Sequence, residues 1–160
     1  MDLRENRIFL VVITIIITLI VSTVVSIGLS SSANLSVPSL GTITTLGVEA
    51  YWDSNCENKT MTIDWGQIHS GTSKNVTLYL KSASNFETTL RLNMSNWNPP
   101  SILNYMMLVW DYNGTTIKPG EIKQVALTLN SVSSKSFMDY LLDNGITNFS
   151  FDMTISAYHS

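Results

Sequence analysis

The chain has 160 residues, with 9 Lys and Arg against 12 Asp and Glu, a net charge of −3, one cysteine and 2 histidines. With no basic stripe, no nucleic acid partner is expected. One cysteine cannot close an intrachain disulfide, and two His with one Cys fall short of a zinc set.

Arg4 and Arg7 sit beside Asp2 and Glu5 in the first seven residues, directly before the uncharged run Ile8–Leu29, IFLVVITIIITLIVSTVVSIGL. As a helix this run is about 33 Å long, enough to cross a hydrocarbon core of about 30 Å. Its Thr and Ser hydroxyls can return to carbonyls of the preceding turn. The pattern predicts a transmembrane helix over 8–29 in contact with membrane lipid. Ser30–Val48 carries no Lys or Arg, so the positive-inside rule places a 1–7 headpiece in the cytoplasm and everything after the helix outside. Ser31-Ser32-Ala33 would suit a signal peptidase, but the apolar run exceeds the roughly 7–15 residues of a signal-peptide core, so an uncleaved single-pass anchor in the cell membrane is expected. Thr14, Thr18, Ser22 and Ser26 recur every four residues on one side, a spacing that lets helices approach closely and marks a face for self-association or a partner helix.

Residues 30–41, SSSANLSVPSLG, read as a Ser-rich tether. From Thr42 the pattern changes to period-two alternation punctuated by turn residues, which predicts an extracytoplasmic β-domain over 42–160. The predicted strands are Thr42–Tyr51, Lys59–Trp65 (Met61, Ile63 and Trp65 inward), Lys74–Ser82, Glu87–Met94, Tyr105–Tyr112, Lys123–Asn130 and Asn148–Ala157. Asn113-Gly114 is a hairpin turn signal. Ser136–Asp143 reads as one or two helical turns closed by Asn144-Gly145. Seven strands, each with one apolar face, must pack as two sheets, so the expected fold is all-β: a seven-stranded immunoglobulin-like β-sandwich preceded by one transmembrane α-helix. Ile68–Leu80 and Ile117–Leu129 both read I-x-x-G-x-x-K-x-V-x-L-x-L, which predicts two equivalent turn-to-strand corners.

The run IDWGQIHSGTSKNVTLYLKSASNFETTLRL, the later IKPGEIKQVALTL and the final NFSFDMTISA resemble small immunoglobulin-like modules of the abnormal-spindle/hydin type, and also membrane-anchored archaeal surface proteins. The resemblance spans roughly Met61 to the C-terminus. It implies a fold and no shared catalytic site; at the third-to-fourth-strand turn, Ser82-Ala83-Ser84-Asn85 replaces the Asn-x-Gly-Asn of many such modules.

Little in the chain carries chemistry. His69 and His159 lie in a turn and at the C-terminal edge, with no nucleophile-elbow motif, so no catalytic residues, no cofactor and no enzyme are expected. Asp53-Ser54-Asn55-Cys56-Glu57-Asn58, followed by Asp64, spaces oxygen ligands as a calcium loop does. Asn58 stands where that loop requires Gly and no helices flank it, so a solvated acidic loop is expected and no metal. Asn34, Asn58, Asn75, Asn93, Asn113 and Asn148 each open an N-x-S/T sequon, glycan acceptors if exported and solvent-facing. Cys56 is a candidate for an intermolecular disulfide or a loop thiol. Trp65 and Trp110 follow the apolar register and are expected in the core, whereas Trp52 and Trp97 fall outside it and are expected at the surface.

These features point to a non-catalytic surface protein used for cell-envelope structure or protein interaction, with a protein partner or self-association. A pilin- or archaellin-like filament subunit is the alternative, and a sugar-binding module built on Trp52 or Trp97 a weaker one.

Overall fold

Eight strands form two four-stranded sheets in the computed structural model, which describes residues 36–159. The first sheet has the order β3 (Thr62–His69), β1 (Ser36–Leu46), β8 (Phe149–His159), β5 (Thr88–Asn98), with β1 and β8 parallel and the other neighbours antiparallel. The second has the order β2 (Val48–Tyr51), β4 (Ser73–Ser82), β7 (Ile122–Ser131), β6 (Met106–Trp110), antiparallel throughout. One continuous core joins them. The first sheet contributes Ile43, Ile63, Trp65 and Met153 among others, and the second Leu78, Leu80, Val125 and Leu127. Burying each such side chain is worth about 1.5–3 kcal/mol, so the alternation read from the sequence is also the main source of cohesion.

The strand count exceeds seven because the expected Thr42–Tyr51 strand is two strands. Gly47, at φ +71°, turns the chain out of the first sheet and β2 continues in the second. Ser36–Gly41, expected within the tether, belongs to β1. Val37, Ser39 and Gly41 point inward and are buried, while Pro38, Leu40 and Thr42 face out. Small polar residues concealed this alternation. Gly41 must be small, because a Cβ there would lie 2.8 Å from Met153 Cε and 2.9 Å from Trp65 Nε1. Pro38 is tolerated because the pairing of β1 with β8 begins only at Ser39.

Two bulges shift the phase of the apolar pattern. In β3, Gly66 at φ +66° accompanies a register shift opposite Ser39 and Leu40, so that Ile68 faces inward three residues after Trp65. Asp64 Oδ1 accepts the Gly66 N–H at 2.8 Å across this kink. Met61, expected inward, precedes the strand and is 69 % exposed. In β5, Asn96 at φ +53° marks the second bulge, and Trp97 swings into the core to stack on Phe151 with ring centroids 4.2 Å apart. Trp97 is therefore a core residue, not a surface one. Trp65 is buried as expected, and Trp110 is half-buried against Tyr112.

The two echoed segments are β4 and β7 with their entry corners, and they pair antiparallel with Thr77 opposite Ala126, equivalent positions of the echo. A local two-fold relates them. At the corners Thr72 N–H donates to His69 O at 3.2 Å and Glu121 N–H to Lys118 O at 3.0 Å. The N–H of His69 and of Lys118 in turn donate to Thr72 Oγ1 and Glu121 Oε2. Asn113-Gly114 makes no tight hairpin. Asn113 Oδ1 accepts the Thr115 N–H, and the chain then detours to pair Ile117 with Thr88 of the other sheet before entering β7. The helix α1 (Lys135–Asp143) starts where Ser134 Oγ accepts the Phe137 N–H and ends at Asn144, before Gly145 at φ +59°. Phe137 and Leu141 seal it onto the core.

Among the described residues no helix is long and apolar enough to cross a membrane. The predicted transmembrane helix 8–29, with Thr14, Thr18, Ser22 and Ser26, and the sequon at Asn34 lie outside the described residues.

Candidate functional site

The loop after β2 is polar, and one carboxylate, that of Asp53, ties its backbone together. Asp53 Oδ1 accepts the Glu57 N–H at 3.1 Å and Oδ2 the Asn58 N–H at 2.7 Å. These two backbone donors, Glu57 first, hold the Asp53 carboxyl below its ordinary value. The reversal they stabilise places Cys56 at φ +57°, half-buried. The carboxylates that resembled a calcium loop are thus engaged locally, Asp53 with its own loop and Asp64 with Gly66. Beside the loop, Lys59 Nζ and the Tyr51 hydroxyl each donate to Glu49 at 2.8 Å. Lys59 and then Tyr51 lower the Glu49 carboxyl, while Glu49 raises both of its donors. The pair Glu49–Lys59 is solvent-exposed and contributes little to stability.

His69 has its backbone in the β3–β4 corner, and the His159 ring lies 4.9 Å from Phe86 at the end of β8. Among the described residues no three His, Cys, Asp or Glu side chains gather where they could hold a metal ion. Trp52 remains partly exposed, whereas Trp97 is removed as a stacking platform by its burial.

All five sequon asparagines among the described residues, Asn58, Asn75, Asn93, Asn113 and Asn148, are exposed. They are spread over both faces: Asn75 is on β4 of the second sheet and Asn93 on β5 of the first. They differ in their hydroxyls. Thr77 and Thr115 are exposed, but Thr60 is buried with its Oγ1 donating to Thr62 O at 2.8 Å.

An apolar surface patch also lies along β6. Leu103, Met107, Val109 and Val132 are all exposed, and a shallow groove runs along Leu103, Tyr105, Met106, Met107, Asn130 and Val132. The signal was in the sequence: Met106–Trp110 reads MMLVW, five apolar residues in a row, and a strand that sends Met106 and Leu108 inward must send Met107 and Val109 out.

Comparison of the chain with known protein families gives no match. Comparison with curated proteins gives none either.

Proposed function

We propose that this is a single-pass, membrane-anchored surface protein whose exported β-sandwich serves cell-envelope structure or protein interaction without catalysis. The observation that carries the reading is the uncharged run Ile8–Leu29, preceded by Arg4 and Arg7 and followed by a segment free of Lys and Arg. Solvent exposure of five sequons on a domain assigned to the outside supports it, as does the resemblance to membrane-anchored archaeal surface modules. The sandwich is immunoglobulin-like in having two facing antiparallel-rich sheets rather than in strand order: β7 and β8 lie in different sheets, whereas the last two strands of an immunoglobulin domain share one.

Mass spectrometry of the mature protein from native membranes tests the anchor. An intact N-terminus, or loss of Met1 alone, is the expected result. Trimming beside Arg7 would replace the anchor with the filament-subunit reading, and cleavage after Ala33 would replace it with a released domain.

A further inference from the structure

Five N-x-S/T sequons lie among the described residues, and all five asparagines are exposed. Exposure of the Asn alone does not make an acceptor. Glycan transfer requires the Asn amide and the hydroxyl two residues on to enter an enzyme together, so the whole tripeptide must be accessible. Four of the five fail that requirement in the folded domain. On β4, Asn75 pairs with Thr128 and Thr77 with Ala126; on β5, Asn93 pairs with Thr154 and Ser95 with Asp152. After Asn148, Phe149 is buried and Ser150 is paired between Leu40 of β1 and Asn98 of β5. After Asn58, Thr60 is buried, its N–H donating to Ala50 O and its hydroxyl to Thr62 O.

Asn113 differs in each respect. Asn113, Gly114, Thr115 and Thr116 belong to no strand or helix and are all exposed. Gly114, at φ +80°, has no atom beyond its chain neighbours within 4 Å of where a Cβ would stand, so space around the tripeptide is open. Both ends of the loop are pinned. Asp111 N–H donates to Ala126 O at 3.1 Å, and Ile117 exchanges both backbone hydrogen bonds with Thr88. The Tyr112 hydroxyl accepts the Leu90 N–H and donates to Thr115 O. At the tip Asn113 Oδ1 accepts the Thr115 N–H at 3.2 Å, an Asx turn. That bond engages the amide oxygen and leaves Asn113 Nδ2 and Thr115 Oγ1 without a hydrogen bond among the described residues.

We propose that Asn113, alone among the described sequons, is an N-glycan acceptor, modified on the folded domain. The donor is an oligosaccharide joined through phosphate to a polyprenol, and the catalyst is a membrane oligosaccharyltransferase. Asn113 Nδ2 forms a bond to C1 of the first sugar as the C1–O bond to phosphate breaks. The polyprenyl phosphate leaves with that electron pair, and the amide gives up one proton to a base of the transferase. Docking of Asn113–Thr115 disturbs no ladder hydrogen bond, because the segment lies outside every strand. Use of Asn75, Asn93 or Asn148 would pull Thr77, Ser95 or Ser150 out of a ladder. The proposal rests on the reading of the domain as exported and names one chemical modification of it.

The test is mass spectrometry of glycopeptides from the full chain purified from its native membrane. The expected result is a glycan on Asn113, with Asn58, Asn75, Asn93 and Asn148 unmodified. Asn113→Gln and Thr115→Ala should each remove one glycan's mass from the intact protein. Thr115→Ser keeps the hydroxyl and should retain that mass, and Asn75→Gln should leave the glycan mass unchanged. An unmodified Asn113 overturns the proposal, as does a glycan on any of the other four or a Thr115→Ala protein that keeps its glycan. The anchor reading is decided separately by the N-terminus of the same sample. An unmodified Asn113 with an intact N-terminus leaves the membrane-anchored reading in place. A glycan on Asn113 with trimming beside Arg7 or cleavage after Ala33 keeps the proposal and replaces that reading.

Discussion

Three side chains show how single positions decide local structure. Gly41 sits where β1 passes under Met153 and Trp65, and a Cβ there would lie 2.8 Å from Met153 Cε and 2.9 Å from Trp65 Nε1. Met153 Cε is the flexible end of its chain, but the indole is not, so Gly41→Val should destabilise the domain by about 1–3 kcal/mol through overpacking, read as a lower denaturation midpoint. An unchanged midpoint would show that Trp65 can shift. Trp97 stacks on Phe151 inside the β5 bulge, and Trp97→Ala should cost about 3–5 kcal/mol. A near-neutral result would return Trp97 to the surface. Asp53 makes a pH prediction. Its carboxyl is lowered by the N–H groups of Glu57 and Asn58, so the order it gives the loop is complete above the ordinary carboxylate range and is lost as pH falls through its lowered value. An NMR titration should show the Glu57 and Asn58 amides moving together over that interval, and Asp53→Asn should abolish the movement. Amides that titrate in the variant as in the parent would assign the transition to another group.

At the scale of elements, α1 depends on Ser134, whose Oγ accepts the Phe137 N–H at 3.1 Å. Ser134→Ala should cost about 1 kcal/mol in stability, with faster amide exchange confined to the first turn; exchange unchanged there would mean that packing of Phe137 and Leu141 alone holds the helix. Elements whose apolar residues keep strict alternation were legible from sequence: Val76, Leu78 and Leu80 in β4, and Val125, Leu127 and Leu129 in β7, lie on the face expected of them. The helix was legible from its stop at Asn144-Gly145, although it begins at Lys135, one residue before the expected start, behind the Ser134 cap. Legibility failed where one residue changes the phase. Trp65 to Ile68, and Met94 to Trp97, are three residues apart, a spacing that no uninterrupted strand can bury on one face, and only the bulges at Gly66 and Asn96 reconcile it. At Ser36–Gly41 the inward positions are Val, Ser and Gly, so composition masked a buried strand as a linker. Asn113-Gly114 has hairpin chemistry, but long-range pairing of Ile117 with Thr88 overrode it. The exposed sequon asparagines at Asn75 and Asn93 agree with strand parity, and the exposed Met107 and Val109 follow from the run MMLVW.

For the whole molecule, an uncharged N-terminal run precedes a sandwich that carries five exposed sequon asparagines among its described residues. Location is therefore the central claim. The single cysteine offers a direct probe, because Cys56 is half-buried in the loop after β2 and is the chain's only native thiol. A membrane-impermeant maleimide applied to intact cells should label Cys56 of the full chain before lysis. In a Cys56→Ser background, Asp2→Cys should be labelled only after the membrane is permeabilised. Labelling of Asp2→Cys in intact cells, with Cys56 reached only after lysis, would reverse the orientation and contradict the account.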